Sequence, residues 1–317
     1  MTPKAETGKD EERLKESPRI LVTGANGLVG SRFVELCSPD YKSLFSTDIK
    51  ELDITDKEAI RSWVEEKKPE VLINFAALTD VNKIEEERAE GEKSKAFIVN
   101  AVGPRNLAEV CRENKIPLIQ ISTDFVFPGF PPNEGPYTEK AKTAQSPKDI
   151  SWYGWTKLIG EKAIQEVGGD FAIVRISYPF RVSFKELDFA RRILKLYGDG
   201  ELYSMFIDQY ITPTFIDELV EALKRISERK ITGIYHVASR EVTTPFSFAS
   251  YLIHEFKGVK GVVETGWMSK YYENHPGVAL IPERGGLKTL ETQDQLGMKF
   301  KSWNEAIDEL HRQNPDL

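Results

Sequence analysis

The sequence of 317 residues predicts an α/β fold, in which a doubly wound parallel sheet carries helices on both faces. From residue 19 onward, short apolar runs such as ILVT and VLIN alternate with longer amphipathic stretches. The first run ends in a glycine-rich loop, TGANGLVG, and a helical pattern follows it. Short strands that alternate with helices of ten or more residues indicate right-handed β-α-β units. The fold is therefore expected to be Rossmann-like.

The predicted elements can be placed in order from these patterns. Strands are expected over 19–23, 42–48, 70–76, 117–123, 171–177 and 233–239. Helices are expected over 31–38, 57–68, 95–114, 152–168, 189–200, 215–230, 246–258 and 303–313.

The chain divides by texture into three parts. Residues 1–18 are nearly all polar or charged and predict a flexible tail. Residues 19–178 carry the alternating pattern and predict a dinucleotide-binding domain. Residues 179–317 predict a smaller, mixed α/β substrate-binding region, in which the strand near 233–239 rejoins the main sheet.

Composition excludes several classes of protein. The formal net charge is −7 and there is no basic stripe, which argues against binding to nucleic acid or to an anionic membrane surface. The two cysteines, Cys37 and Cys111, fall in predicted helices and are expected to be small buried hydrophobes. No Cys/His spacing suggests a metal site. The absence of a membrane-spanning run and of a signal peptide favours the cytoplasm.

The glycine loop indicates a dinucleotide site. Gly24 would allow a sharp turn, Gly27 would let the backbone approach a pyrophosphate, and Gly30 would let helix and strand pack closely. The N-terminus of the following helix offers free N–H groups to the phosphates. The spacing is G-x-x-G-x-x-G rather than the commoner G-x-G-x-x-G.

Acidic residues beyond the second strand are candidates for the adenosine half of the cofactor. Asp48 ends that strand, and a carboxylate there can bond ribose hydroxyls, which favours NAD over NADP. Lys50 lies close enough to accept a 2′-phosphate as well. Asp53, followed by Ile54, would either bond the adenine amine or simply begin the next helix.

The stretch SWYGWTKL suggests a catalytic pair, because Tyr153 and Lys157 lie one turn apart on a single helix face. A nearby ammonium group stabilises phenolate, so Lys157 is expected to lower the pKa of Tyr153. Such a tyrosine can exchange a proton with a carbonyl oxygen during hydride transfer. Thr123 and Asp124 end the fourth strand, where strand ends face the cofactor crevice.

Together these motifs resemble the extended short-chain dehydrogenase/reductase superfamily. The stretches STDFVFPG, YGWTKLIGEKAI and DQYITPTFIDEL are similar to the dTDP-4-dehydrorhamnose reductase family, and the likeness covers nearly all of residues 19–310. The resemblance implies reduction of a nucleotide-linked 4-keto-deoxysugar by NADPH or NADH. A nucleotide sugar is the expected substrate, and a homodimer is one expected assembly.

The resemblance also implies roles for individual residues. Thr123, Tyr153 and Lys157 would be catalytic, with Tyr153 as the general acid. Thr123, Asp124 and Tyr178 would contact the sugar. The cofactor would be bound by Gly24, Asn26, Gly27, Leu28, Val29, Gly30, Asp48, Asp53, Ile54, Ala76, Ala77, Leu78, Asn100, Tyr153 and Lys157.

One departure from the family falls on the substrate side. The family usually has a Trp after its R-x-S strand, where this chain has Tyr178. The change leaves the redox chemistry in place and opens the question of which sugar is bound.

Two other functions remain open. An epimerase or dehydratase of the same superfamily would return the hydride, although dehydratases add an acidic pair at the position where Phe125 follows Asp124 here. A non-catalytic subunit resembling the β subunit of methionine adenosyltransferase would keep the same tyrosine–lysine pair.

Overall fold

The structure, a computed structural model, describes residues 17–41 and 43–317. The predicted tail, residues 1–18, lies outside the described residues except for its last two. The strands are β1 (Ile20–Thr23), β2 (Leu44–Ser46), β3 (Val71–Asn74), β4 (Leu118–Thr123), β5 (Phe171–Ile176), β6 (Met205–Phe206), β7 (Gly233–His236) and β8 (Thr265–Gly266).

Helices connect these strands. They are α1 (Leu28–Cys37), α2 (Lys57–Lys67), α3 (Val81–Glu86), α4 (Lys95–Phe97), α5 (Gly103–Asn114), α6 (Trp152–Val167), α7 (Phe189–Gly198), α8 (Ile216–Arg229), α9 (Pro245–Lys257), α10 (Met268–Asn274), α11 (Leu290–Leu296) and α12 (Trp303–Gln313). A π-helical stretch, Ile98–Val102, joins α4 to α5. No helix in the described ranges has the length and apolar character needed to cross a membrane.

The main sheet is parallel, with strand order β2-β1-β3-β4-β5-β7. The order reverses direction between β1 and β3, so a crevice forms beyond the carboxyl ends of these two strands. The central strands of the sheet, β1, β3 and β4, are fully buried, because helices cover both faces of the sheet. This topology places the glycine loop after β1 and the predicted catalytic residues after β4 along one edge of the sheet.

Two apolar clusters fill the spaces between sheet and helices. One face packs on α1 and α8 through residues such as Phe33, Leu219 and Leu223. The other face packs on α2, α5 and α6, with Ile60, Leu107 and Ile164 among the buried residues.

The C-terminal half returns to the main sheet twice. Strand β7 pairs with β5 in parallel, and α8 packs on the same face as α1. The rest of this half has its own apolar cluster, built from α7, α9 and α12 around Phe180 and Phe248. The C-terminal elements are therefore fixed to the main sheet by a strand and a helix of the same chain segment.

Helix α6 approaches its neighbours closely at two glycines. A Cβ added to Gly154 would lie 2.2 Å from the carbonyl oxygen of Phe125, and one added to Gly160 would lie 2.3 Å from that of Asn100. Real Cβ atoms essentially never come so near to backbone oxygen. The two glycines set the distance between the helix that bears Tyr153 and the segments beside it.

Gly160→Ala tests this close approach. Intrinsic helix propensity alone would favour alanine by about 1 kcal/mol. The contact with Asn100 should reverse that sign and destabilise the fold by roughly 1–3 kcal/mol, because the helix must move away. Urea unfolding measures the difference. Gly198→Ala in α7 is the control, since its Cβ would meet nothing within 4 Å. Equal or higher stability in both variants would contradict the close approach.

Candidate active site

The glycine loop forms a tight turn between β1 and α1. Gly24 has φ 66°, and a Cβ there would lie 2.4 Å from the backbone nitrogen of Ala76. A Cβ on Gly30 would lie 2.4 Å from the carbonyl oxygen of Gly24. Gly27 precedes α1 and is exposed, and no side chain caps the N–H groups at the helix start. Leu28 and Val29 begin the helix, so their N–H groups are placed to receive an anion.

Asp48 is bonded to the glycine loop. Its Oδ2 accepts a hydrogen bond from the backbone N–H of Asn26 at 3.0 Å, and its Oδ1 accepts one from Ile49 at 2.7 Å. The carboxylate therefore holds the loop in place at the end of β2. A carboxylate has further lone pairs, so these bonds leave it able to accept hydrogen bonds from ribose hydroxyls.

Asp53 and Ile54 occupy a local turn. The Oδ1 of Asp53 accepts hydrogen bonds from the backbone N–H and the hydroxyl of Thr55 at 2.9 and 2.8 Å. The N-cap of α2 is Asp56 rather than Asp53. Ile54 is buried, and its side chain fills the space beside Gly103 at the start of α5. Ile54 therefore packs against the start of α5.

Asn100 links the loop after β3 to α6. Its Oδ1 accepts from the backbone N–H of Leu78 at 2.9 Å, and its Nδ2 donates to the carbonyl of Leu78 at 2.9 Å and to the hydroxyl of Thr156 at 3.2 Å. The segment Ala76 to Leu78, including Ala77, is half-buried. Asn100 thus fixes the predicted cofactor-side loop against the helix that carries Tyr153.

The start of α6 is strongly specified. Ser151 is buried, and its hydroxyl accepts a hydrogen bond from the backbone N–H of Gly154 at 3.1 Å. The carboxylate of Glu85 accepts from the backbone N–H of Trp152 at 2.7 Å. Both contacts satisfy donors at a helix N-terminus, and the negative charge favours the positive end of the helix dipole. Tyr153 is therefore held in the first turn.

Tyr153 is nearly buried, with 9% of its surface exposed. Its ring meets the edge of Phe125 at a centroid distance of 5.7 Å. Burial raises the pKa of Tyr153 to about 12, the hydroxyl of Thr123 lowers this pKa in part, and the carboxyl of Asp124 raises it. The phenol consequently holds its proton at neutral pH, which suits an acid and not a base.

Lys157 is also buried, and its ammonium donates a hydrogen bond to the carbonyl of Ile121 at 2.8 Å. Burial lowers the pKa of Lys157 to about 8, while the carboxylate of Glu161 opposes the shift. The predicted lowering of the pKa of Tyr153 by Lys157 is not seen in the structure. Burial dominates at the phenol, and the ammonium is bonded to β4.

Asp124 lies beneath this pair with 3% of its surface exposed. Its Oδ2 accepts a hydrogen bond from the hydroxyl of Ser177 at 2.7 Å, and its Oδ1 accepts one from Thr123 at 3.3 Å. Burial raises the pKa of Asp124 to about 6, and the two hydroxyls lower it in part. A buried carboxyl with such a pKa is typical of a functional site.

A buried ion pair joins β5 to the helix that carries Tyr153, and the sequence did not predict it. Arg175 of β5 donates to both carboxylate oxygens of Glu161, at 3.0 and 2.6 Å, and both side chains are at most 3% exposed. Ser122, next to Thr123, donates to the same carboxylate. The available signal was the position of Glu161, one turn beyond Lys157.

Burial and the charge of Arg175 lower the pKa of His236 to about 3, so this neighbouring imidazole stays neutral.

Tyr178 forms part of the wall of a large cavity on the substrate side. The cavity has a volume of about 920 Å³. Its aromatic lining comprises Tyr178, Phe189, Tyr203, Phe206, Trp267 and Tyr271, and the cations Arg192 and Lys270 also face it. Phe125 connects the ring of Tyr178, at 6.5 Å, to that of Tyr153. One aromatic ring therefore lies between the predicted substrate-side residue and the predicted catalytic residue.

The structure brings most of the predicted residues to one place. Thr123, Asp124, Tyr153 and Lys157 gather where β4 ends and α6 begins, and Tyr178 joins them through Phe125. The glycine loop and the Ala76 segment lie across the sheet edge. Uncapped N–H groups, a close glycine turn and a carboxylate after β2 fit a dinucleotide such as NADH or NADPH.

The chain was compared with known proteins. A family model described as RmlD substrate binding domain matches residues 18–314. The chain belongs to this family.

Individual relatives of the RmlD family agree with the match. The chain is 35% identical over 233 residues to dTDP-4-dehydrorhamnose reductase of Streptomyces griseus, covering 72% of each chain. It is 29% identical over 289 residues to a probable low-salt glycan biosynthesis reductase of Haloferax volcanii, covering 87% of this chain and 91% of that one. The crystal structure of dTDP-4-dehydrorhamnose reductase from Bacillus anthracis, in complex with NADP, superposes with a TM-score of 0.80 at 28% identity and covers 94% and 99% of the two chains.

These comparisons confirm the family resemblance and the Rossmann-like fold class. At the level of the RmlD family they also confirm the predicted enzyme class, a nicotinamide-dependent oxidoreductase of sugar nucleotides, and the predicted cofactor, NADPH or NADH. Within residues 17–41 and 43–317, no group of three or more His, Cys, Asp or Glu side chains could hold a metal ion.

Asp124→Asn tests the buried carboxyl. Because its pKa is raised from 3.8 to about 6, the folded chain keeps a proton that the unfolded chain releases between these values. This contribution to stability is complete below pH 3.8 and is lost as the pH rises through 6. The neutral amide avoids the loss, so the free energy of unfolding of the variant minus that of the parent should rise by up to about 3 kcal/mol between roughly pH 4 and pH 7.

Denaturant unfolding at a series of pH values measures this difference. Asp170→Asn, on an exposed turn, is the control for removing a carboxylate from the surface. A difference for Asp124→Asn that stays constant with pH would mean that the carboxyl is not perturbed by burial.

Proposed function

We propose that this protein reduces a nucleotide-linked 4-keto-deoxysugar with NADPH or NADH, with dTDP-4-dehydrorhamnose as the substrate and dTDP-L-rhamnose as the product. The observation that carries the proposal is the grouping of Thr123, Tyr153 and Lys157 where β4 ends and α6 begins, with Phe125 between the ring of Tyr153 and that of Tyr178 on the cavity wall. The dTDP-4-dehydrorhamnose reductases among its relatives support this choice of substrate.

Tyr153 would act as the general acid. When bound, the reduced nicotinamide supplies the hydride that adds to C4 of the sugar. Tyr153 gives its proton to the C4 oxygen as negative charge develops there, and Thr123 holds that oxygen beside the phenol. The raised pKa keeps Tyr153 protonated before the reaction. The burial of the site strengthens the hydrogen bonds to the developing charge.

Lys157 would bind the cofactor. With a pKa of about 8 it is mostly protonated at neutral pH, so its ammonium keeps three N–H donors. One of its N–H groups is bonded to Ile121, and an ammonium has two more to offer. These would reach the ribose next to the nicotinamide and orient the ring toward C4.

The large cavity would take the nucleotide part of the substrate. Its aromatic side chains offer stacking surfaces for a base, and Tyr203 and Trp267 are 58% and 47% exposed. Arg192 and Lys270 supply the positive charge that a pyrophosphate requires. Tyr178 closes the cavity toward the catalytic residues, where the sugar would lie.

Tyr153→Phe tests the role of the general acid. Removing the phenol hydroxyl should lower kcat at least about a hundredfold, because general acid catalysis contributes roughly 10²–10⁴-fold. Binding of NADPH should change little. Tyr235→Phe is the control, since Tyr235 is also buried but its hydroxyl bonds the carbonyl of Thr232, just before β7. NADPH oxidation followed by absorbance measures both. Cofactor binding by the parent protein without turnover of any 4-keto sugar nucleotide would refute the proposed reaction.

Asp48 and Lys50 test the cofactor preference. We infer that Asp48 favours NADH through the ribose hydroxyls and that Lys50 favours NADPH through the 2′-phosphate. Asp48→Ala also removes the bond to Asn26, so it should weaken both cofactors, but the ratio of kcat/KM for NADPH over NADH should rise about fivefold or more. Lys50→Ala should lower that ratio by a similar factor. Ratios that remain unchanged would show that neither side chain reads the ribose.

A further inference from the structure

We propose that Tyr178 and Gln209 form a hydrogen-bonding site for one hydroxyl oxygen of the substrate's hexose and so select the sugar. This inference rests on the proposed function, and it adds the feature of the sugar that the enzyme distinguishes. The relevant atoms are the hydroxyl of Tyr178 and the amide of Gln209, which belong to two residues that line the 920 Å³ cavity.

The backbone holds Tyr178 in an unusual conformation. Its φ is 42°, in the left-handed region that non-glycine residues rarely adopt and that costs of order 1–3 kcal/mol. The chain on either side is tied to Thr214: Ser177 accepts from its N–H at 2.8 Å, and Phe180 donates to its carbonyl at 3.0 Å. Tyr178 and Pro179 therefore bulge out between two fixed points, toward the cavity. Strain kept at a binding wall indicates a functional constraint on the side chain.

The ring of Tyr178 is also fixed in place. Phe189 meets it edge-on at a centroid distance of 4.9 Å, and Phe125 lies at 6.5 Å on the side of Tyr153. The ring is thus held at a defined point on the cavity wall, with one aromatic ring between it and Tyr153, and a fixed position is what discrimination between similar sugars requires.

The hydrogen bonds of Gln209 leave the Tyr178 proton available. Gln209 is 3% exposed, and its Nε2 donates to the hydroxyl of Tyr178 at 2.8 Å and to the carbonyl of Pro282 at 3.4 Å. The carbonyl can only accept, so the amide nitrogen, and not the amide oxygen, must face both partners. Tyr178 accepts this bond, and no acceptor within residues 17–41 and 43–317 takes its own proton.

The charges around Tyr178 decide what its proton can bind. Burial and the carboxyl of Asp124 raise the pKa of Tyr178, as do Tyr272 and Tyr203, so the hydroxyl stays protonated and donates. A phosphate oxygen is less favoured at Tyr178 than beside Arg192 and Lys270, because the carboxyl of Asp124 acts on Tyr178. A neutral hydroxyl oxygen on the sugar ring satisfies the donor without that repulsion.

The experiment compares substrates and variants together. The holoenzyme with NADPH is assayed on dTDP-4-dehydrorhamnose and on analogues that lack the hydroxyl at C2 or at C3. The parent protein should prefer the full substrate over one of the two analogues by about tenfold in kcat/KM, the value of one hydrogen bond. Tyr178→Phe should abolish that preference, because it should lower kcat/KM on the full substrate about tenfold more than on this analogue. Tyr251→Phe, whose hydroxyl bonds Asp308 far from the cavity, should keep the preference.

Two results would overturn the inference. The first is an equal loss on every substrate in Tyr178→Phe, which would assign Tyr178 to packing. The second is a parent protein that does not distinguish the analogues. If the parent turns over none of these ketones, the proposed function fails instead, and calorimetric binding of dTDP-L-rhamnose and its deoxy analogues makes the same comparison. There, a tenfold loss of affinity confined to the hydroxylated sugar supports the inference, and an equal loss refutes it.

Discussion

The active site depends on the attachment of one helix to the ends of two strands. Arg175 of β5 donates to both carboxylate oxygens of Glu161 on α6, and Ser122 of β4 donates to the same carboxylate. Lys157 of α6 donates to the carbonyl of Ile121 in β4. A buried ion pair stabilises little by itself, but removal of one partner typically costs about 3–5 kcal/mol. Every bond in this group joins α6 to β4 or β5, and β4 ends at Thr123, the third residue of the proposed catalytic group.

The attachment has an electrostatic consequence. Holding Tyr153, Lys157 and Asp124 against the sheet removes all three from water, and burial shifts each pKa toward the neutral form. In the folded protein the phenol of Tyr153 is therefore protonated at neutral pH, and the pKa values of Lys157 and Asp124 are shifted to about 8 and about 6. Any charge that develops on a bound ligand there is stabilised by fixed groups rather than by water.

Much of this architecture could be predicted from the sequence, because its signals are local. The glycine spacing required a close turn, which Gly24 and Gly30 provide, and the i to i+4 spacing placed Tyr153 and Lys157 on one face. The features that the sequence did not predict depend on contacts between residues far apart in the chain. The pKa of Tyr153 is raised because the residue is buried, and residue spacing alone does not reveal burial. The pairing of Glu161 with Arg175 across two elements, and of Gln209 with Tyr178, likewise needed the folded chain.

Strand β7 and helix α8 return to the main sheet and so join the C-terminal half of the chain to the N-terminal half. Because the segment that follows the cavity-bearing Tyr178 loop contributes a strand and a covering helix to the other half, neither half can be exchanged as a cassette. Replacing single side chains on the cavity wall, by contrast, changes the pocket without disturbing the β5–β7 pairing. Recombination between relatives would have to preserve both sides of the β5–β7 pairing at once.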